Sequence, residues 1–213
     1  SLPYSDHIEM SGEQISCVIR WEVDEGGHFN QMRSLVFPML RTVPNNTHAS
    51  LMYRMSTDIM SLIGVNSVAV KQLSAKKVTL DGTLSAVCDY GLRNTNVNGQ
   101  IGDSPAPVIE VTTRIFPSTT LPMLCETYSV RNITGQPVIV NVPEFKQVVK
   151  TPKDRGVDGA YIVRGDIFGS GTFVLEPQQT VDFQAAFQAY RDSGEKMTVP
   201  DVNDEYAARM SFV

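Results

Sequence analysis

Apolar and polar residues alternate with a period of two along most of this chain. From Ile15 to Val23 the apolar Ile15, Cys17, Ile19, Trp21 and Val23 alternate with Ser16, Arg20 and Glu22, Val18 being the one exception. That pattern predicts a strand with one buried face and one wet face. Asp24, Glu25, Gly26 and Gly27 supply turn chemistry, and the apolar-rich run from Phe29 to Leu40 returns as the second arm of a hairpin. Pro38 is expected to end its regular pairing, because proline has no N–H to give to a ladder. Further strands are predicted over Ser50 to Met55, Ile59 to Val65, Lys77 to Leu80 and, after the Asp81 and Gly82 turn, Thr83 to Tyr90. Gly91 to Ser104 is rich in Asn and Gly and reads as a surface loop. Alternation resumes at Val108 to Phe116, Met123 to Arg131 and Val138 to Val142. Residues 143 to 160 mix prolines and glycines with Lys146, Lys150, Lys153 and Arg155, which predicts a long basic excursion from the sheet. Tyr161 to Ile167 and Thr172 to Leu175 bracket Gly169 to Gly171, read as a hairpin turn. The last strand, Thr180 to Tyr190, sets Val181, Phe183, Ala185, Phe187 and Ala189 on one face.

The C-terminal segment changes period. Asp201 suits an N-cap, Asp204 and Glu205 suit a first helical turn, and Val202, Tyr206, Met210 and Val213 recur at near-helical spacing. The pattern stops without a closing turn, which predicts that residues 1 to 200 form one β-sandwich domain and that 201 to 213 begin a linker helix of a longer polypeptide.

Composition agrees with an all-β fold: Val, Ile and Thr number 25, 12 and 16 among 213 residues, against 11 Ala and 12 Leu. A net charge of -5 argues against a nucleic-acid partner, which would need clustered Lys and Arg. The longest uncharged apolar runs, such as Leu35 to Leu40, fall far short of the roughly 20 residues of a membrane-spanning helix. Cys17, Cys88 and Cys125 are odd in number and lack zinc-cage spacing, so they leave the compartment open. Ser1 in place of an initiator Met is expected to mark a trimmed chain whose targeting segment is gone.

Candidate chemistry is sparse. His7, His28 and His48 lie about twenty residues apart with no metal-ligand spacing, and no metal or cofactor is expected. There is no nucleophile elbow or phosphate loop. Asp24 with Glu25 belongs to a turn, Asp204 with Glu205 to a helix start, and Asp154, Asp158 and Asp166 form no distinguishing pattern. Trp21 falls on the inward phase of its strand, as core rather than as a sugar-stacking platform. The concentrated stretch is Phe37 to Ser50, with Arg41, Asn45, Asn46, Thr47 and His48. Guanidinium and amide groups suit sugar hydroxyls or a partner's carbonyls. A turn built on Asn45 and Asn46, with Arg41 packed upon it, accounts for the same residues.

Tyr4 to Gly12 (YSDHIEMSG), Arg33 to Leu51 (RSLVFPMLRTVPNNTHASL), Arg114 to Thr120 (RIFPSTT) and the closing strands from Leu175 to Phe187 resemble the N-terminal domain of six-hairpin glycosidases from gut Bacteroidetes. The resemblance covers nearly the whole chain and is most specific over Pro38 to His48. It implies a super-β-sandwich similar to galactose mutarotase, followed by a helical linker and an α/α toroid that holds the catalytic carboxylates. It also implies export to the periplasm or cell surface. On that basis this chain would be inactive alone and would pack on the toroid. It would lend a loop, Arg41 to His48, to an oligosaccharide or polysaccharide site, and no catalytic residue carries over. An independent carbohydrate-binding module and a mutarotase-like sugar epimerase are the alternatives; the epimerase needs a converging acid and base.

Overall fold

The computed structural model describes residues 3–44, 49–93 and 106–211. The chain begins with β1 (Tyr4–Ser11), β2 (Ser16–Val23), β3 (Phe29–Arg41) and β4 (Ser50–Met55), which pair in that order into an antiparallel four-stranded sheet. Then follow β5 (Gly64–Val65), β6 (Val68–Leu80), β7 (Leu84–Leu92), β8 (Pro107–Pro117), β9 (Met123–Asn132), β10 (Val138–Val142), β11 (Lys146–Lys150), β12 (Tyr161–Phe168), β13 (Gly171–Leu175) and β14 (Thr180–Arg191). They form a ten-stranded sheet in the order β11-β12-β14-β9-β8-β7-β6-β5-β10-β13. The all-β expectation holds.

The inward phases of both sheets meet in one core. Cys17, Ile19 and Trp21 of β2 and Leu35 and Phe37 of β3 face Leu84, Val111, Ile115, Leu124, Val130, Phe183 and Phe187 of the larger sheet. Each large side chain removed from water here contributes about 1.5–3 kcal/mol. Trp21 is buried against Tyr4 and Phe29, at ring-centroid distances of 5.3 and 6.2 Å, as its alternation predicts.

The sheet order requires a strong curl. β12 lies next to one edge of the ten-stranded sheet and β13 forms the other, yet only Gly169 and Ser170 join them. The three Cα-to-Cα steps from Phe168 to Gly171 reach no more than about 11 Å, so the two ends of the sheet come close together. Gly169 to Gly171 is therefore not the hairpin turn predicted from composition: β13 pairs with β10, and β12 with β11 and β14. At Gly169 φ is +89°, and a Cβ would stand 3.3 Å from that of Phe183.

Three other elements differ from expectation. Ile59–Leu62 is a 3-10 turn rather than a strand, because Asp58 caps it by accepting from Met60 N, and adjacent Ile59 and Met60 are both buried, which no strand alternation allows on one face. β6 starts nine residues before the predicted Lys77, and register shifts at Gln72/Ser74 and Ala75/Lys77 break the alternation that would have revealed it. The basic excursion contains β11, an exposed edge strand ending in Lys146 and Lys150, residues that discourage edge-to-edge pairing. Pro38 falls where the β3–β4 register shifts, between Phe37 and Arg41, as predicted. Of the predicted 91–104 loop, residues 94–104 lie outside the described residues.

The helix α1 (Val202–Met210) is capped by Asp201, which accepts from Asn203 N and Asp204 N. It docks on the outer face of the ten-stranded sheet. Val202 is buried with Phe116, Met123, Cys125 and Ala186, and Tyr206 packs on the Phe116 ring with the Arg114 guanidinium 4.5 Å from its own. Ser118 Oγ donates to Glu205 at 2.5 Å, and Arg209 donates to the carbonyls of Gly82 and Ser11. The apolar stripe thus finds a neighbour on the chain's own sheet through Val202 and Tyr206.

Candidate functional site

Arg41 ends β3, and Asn45, Asn46, Thr47 and His48 lie outside the described residues. What is described is how the base of their loop is held. Thr42 N donates to the Ala49 carbonyl at 3.1 Å and closes the loop at its neck. The neck is then fastened to the basic segment that precedes β12. Val43 N donates to the Arg155 carbonyl at 2.9 Å, Val157 N donates to the Arg41 carbonyl at 3.0 Å, and Thr42 bridges Gly156. The buried Tyr161 hydroxyl donates to the same Arg41 carbonyl at 2.5 Å. Two stretches singled out separately in the sequence, more than a hundred residues apart, thus form one junction.

Gly156 makes the close approach possible. A Cβ there would fall 1.9 Å from the Gly159 carbonyl oxygen and 2.8 Å from the Tyr161 ring. A third strand end supports the junction, because Arg191 of β14 donates to the Met39 carbonyl and to Asp158, both at 3.1 Å, and pairs with Glu195. The Asp158 hydrogen bond, foremost, raises the Arg191 pKa and keeps the guanidinium charged. The rim presents exposed Met39, Val43 and Val157 beside exposed Lys153 and Arg155. Arg41 itself is half-buried, and its buried Nε has no hydrogen-bond partner among the described residues. Apolar contact area edged by cations, on a backbone held by five hydrogen bonds, suits a macromolecular contact or the hydroxyls and carbonyls of a glycan.

The other candidate residues do not converge. His7 lines an open groove on the outer face of the four-stranded sheet with Glu9 and Arg20, whereas His28 sits at the β2–β3 turn, 3.2 Å from Asp24. Asp166 accepts a two-pronged contact from Arg164, and Asp158 is held by Arg191. Among the described residues no cluster of His, Cys, Asp and Glu is arranged to hold a metal. Burial pushes the thiols of Cys17 and Cys88 up to about 12 and that of Cys125 higher still.

Sequence reasoning missed one charged group entirely. Arg33 of β3 crosses the sandwich, with Nη1 paired to Glu126 of β9 and Nη2 donating to the Thr57 carbonyl at 2.5 Å. Tyr128 donates to the second Glu126 oxygen at 2.5 Å and stacks on Phe183 at 4.9 Å. Arg33 and Glu126 are both buried. Their signal was present, since each is a charged residue on the inward phase of its strand, between Phe29 and Leu35 and between Leu124 and Tyr128.

Comparison with family models, with curated proteins and with solved structures finds no match to this chain.

Proposed function

We propose that this chain is a non-catalytic β-sandwich domain of a glycoside hydrolase. It packs on an α/α toroid of the same polypeptide and lends the loop that follows Arg41 to the rim of that toroid's oligosaccharide site. In this reading the parent protein works in the periplasm or at the cell surface, and the hydrolytic carboxylates belong to the toroid. The observation that carries the proposal is the junction of the Arg41 loop with the 151–160 segment, where exposed apolar side chains and cations sit on a pinned backbone. A loop that must present side chains to a second body gains from such fixing, since less freedom is lost on contact. The separation of His7 from His28, and the pairing of Asp158 and Asp166 to arginines, favour a module without its own acid and base over an epimerase.

The test compares residues 1–213 with the polypeptide encoded by the uninterrupted gene, using a panel of aryl glycosides and oligosaccharides. Hydrolysis by the longer protein and none by residues 1–213 is expected, with Val157→Asp lowering activity of the longer protein while the melting temperature of residues 1–213 stays unchanged. Turnover by residues 1–213 alone, or a gene that ends without a helical repeat region, overturns the proposal.

A further inference from the structure

Where α1 lies on the outer face of the ten-stranded sheet, it leaves a trough of about 270 Å³ along one flank. Register fixes the floor. Arg114 of β8 stands opposite Thr127 of β9, and Thr127 opposite Gln184 of β14; one step further along the strands, Ser129 of β9 stands opposite Asp182 of β14. Residues two apart on a strand share a face, so these side chains leave the sheet together, away from buried Tyr128 and Phe183. Asn203 and Tyr206 of α1 form the wall. The Tyr206 ring is already taken by Phe116 and Arg114, so it is a wall and not a stacking platform. The volume is just below the roughly 300–1,000 Å³ of drug-sized sites, as a site for one small molecule should be.

The trough holds one charge of each sign. Arg114 has no ion-pair partner among the described residues: its guanidinium lies 4.5 Å from the Tyr206 ring, its Nε is buried, and its two terminal nitrogens are the part left to meet a ligand. That planar pair of donors suits a carboxylate or a phosphate. Asp182 is exposed, with one oxygen held by Ser129 Oγ at 2.7 Å. It opposes a dianion such as a phosphate monoester, so the ligand that matches a single arginine is a monocarboxylate. Strand spacing and rise place the Cα atoms of Arg114 and Asp182 about 12 Å apart, a separation that one arginine side chain and one sugar ring together span. In an α-amino acid the ammonium group lies too close to the carboxylate to bridge that distance. Thr127, Gln184 and Asn203 add a hydroxyl and two amides, each able to donate and to accept. A body carrying several hydroxyl groups uses all of them, whereas an alkyl chain uses none.

We infer that this trough binds a polyhydroxylated monocarboxylate of single-ring size, the chemistry of a hexuronate, with its carboxylate on the terminal nitrogens of Arg114 and its hydroxyl groups on Thr127, Asp182 and Gln184. None of these residues belongs to the Arg41 junction, and the inference does not rest on the function proposed for it.

The test is an NMR titration of ¹⁵N-labelled protein with D-galacturonate and D-glucuronate, and with D-galactose, acetate and glucose 6-phosphate for comparison. Saturable shifts of the amides of residues 127–129, 182–184 and 203–206 are expected with at least one uronate. Galactose, which lacks the carboxylate, and acetate, which lacks the hydroxyl groups, should each bind more weakly by about tenfold or more, the effect of a lost charge-assisted hydrogen bond or of several neutral ones. Arg114→Gln should weaken uronate binding by the same factor. Because Arg114 also packs on Tyr206, Asp182→Ala, at an exposed position, carries the comparison if Arg114→Gln does not fold, and it should weaken uronate binding severalfold. No shift of these amides with either uronate, equal affinity for galactose or acetate, tighter binding of glucose 6-phosphate, or uronate affinity unaltered by either substitution would each overturn the inference.

Discussion

Arg33 shows how one residue can set the character of a sandwich interior. It is removed from water by burial, which lowers its pKa, yet it keeps a carboxylate partner, a backbone carbonyl and the face of Phe187, 5.6 Å from its guanidinium carbon. Taking away one member of such a pair leaves a buried charge, so Arg33→Met should destabilise the protein by about 3–5 kcal/mol. Arg33→Met combined with Glu126→Leu should recover a large part of that loss, measured by urea unfolding. Glu110 behaves differently, on the solvent side of β8. Hydrogen bonds from Lys76 at 2.6 Å, foremost, and from Arg131 at 2.8 Å hold its carboxyl below the ordinary value of 4.5. A depressed folded pKa means stability that is present above the unfolded value and lost as pH falls through the folded one. Glu110→Gln should therefore show a shallower fall of melting temperature on acidification below pH 4.5 than the parent protein. The buried thiols make a third expectation. At mildly alkaline pH the native protein should leave Cys17, Cys88 and Cys125 unmodified by iodoacetamide, with all three reacting in denaturant.

At the scale of elements, strands with unbroken alternation were legible and those broken by tertiary demands were not. β2, β4, β9, β10 and β14 lie within two residues of their expected bounds, because a two-residue period needs only a buried face and a wet face. The bulges of β6 shift its phase twice and hide its first half from any periodicity, and β11 leaves no period because it is an edge with no buried side chain. In β14 the alternation fails in its second half, where Ala186 and Gln188 on the supposed wet face are buried; α1 and the Thr198 segment cover them. The helix depends on its cap as well as on packing. Asp201→Ala should cost about 1 kcal/mol and speed hydrogen exchange within Val202–Met210 while leaving the sheet amides unchanged. At the junction, Gly156→Ala cannot be accommodated without moving the backbone, and it should appear as faster proteolysis within 151–160.

At the scale of the whole molecule, the two sheets share a core spanned by the Arg33–Glu126 pair and closed at the side by the Gln72 and Ala75 contacts, and a smaller buried cluster lies under α1. The one tryptophan, Trp21, lies in the four-stranded sheet, whereas far-ultraviolet circular dichroism is dominated by the ten-stranded one. Fluorescence and dichroism should therefore give coincident urea transitions, and separated midpoints would show that the sheets unfold independently. Of the candidate site, the sequence pointed to two polar stretches, Arg41 to His48 and the basic segment after Pro143, but not to their meeting. Nor did it announce the trough, which exists because Arg114, Thr127 and Gln184 from three strands fall in register beside α1. Periodicity, turn residues and caps are local, and each is read from a few neighbours along the chain; they sufficed for the all-β class, most strands and the terminal helix. The curl that brings β13 near β12, the charge pair across the core and the pinned loop all join residues distant in sequence. Those were decided only when burial and hydrogen bonding had to be satisfied for the whole chain at once.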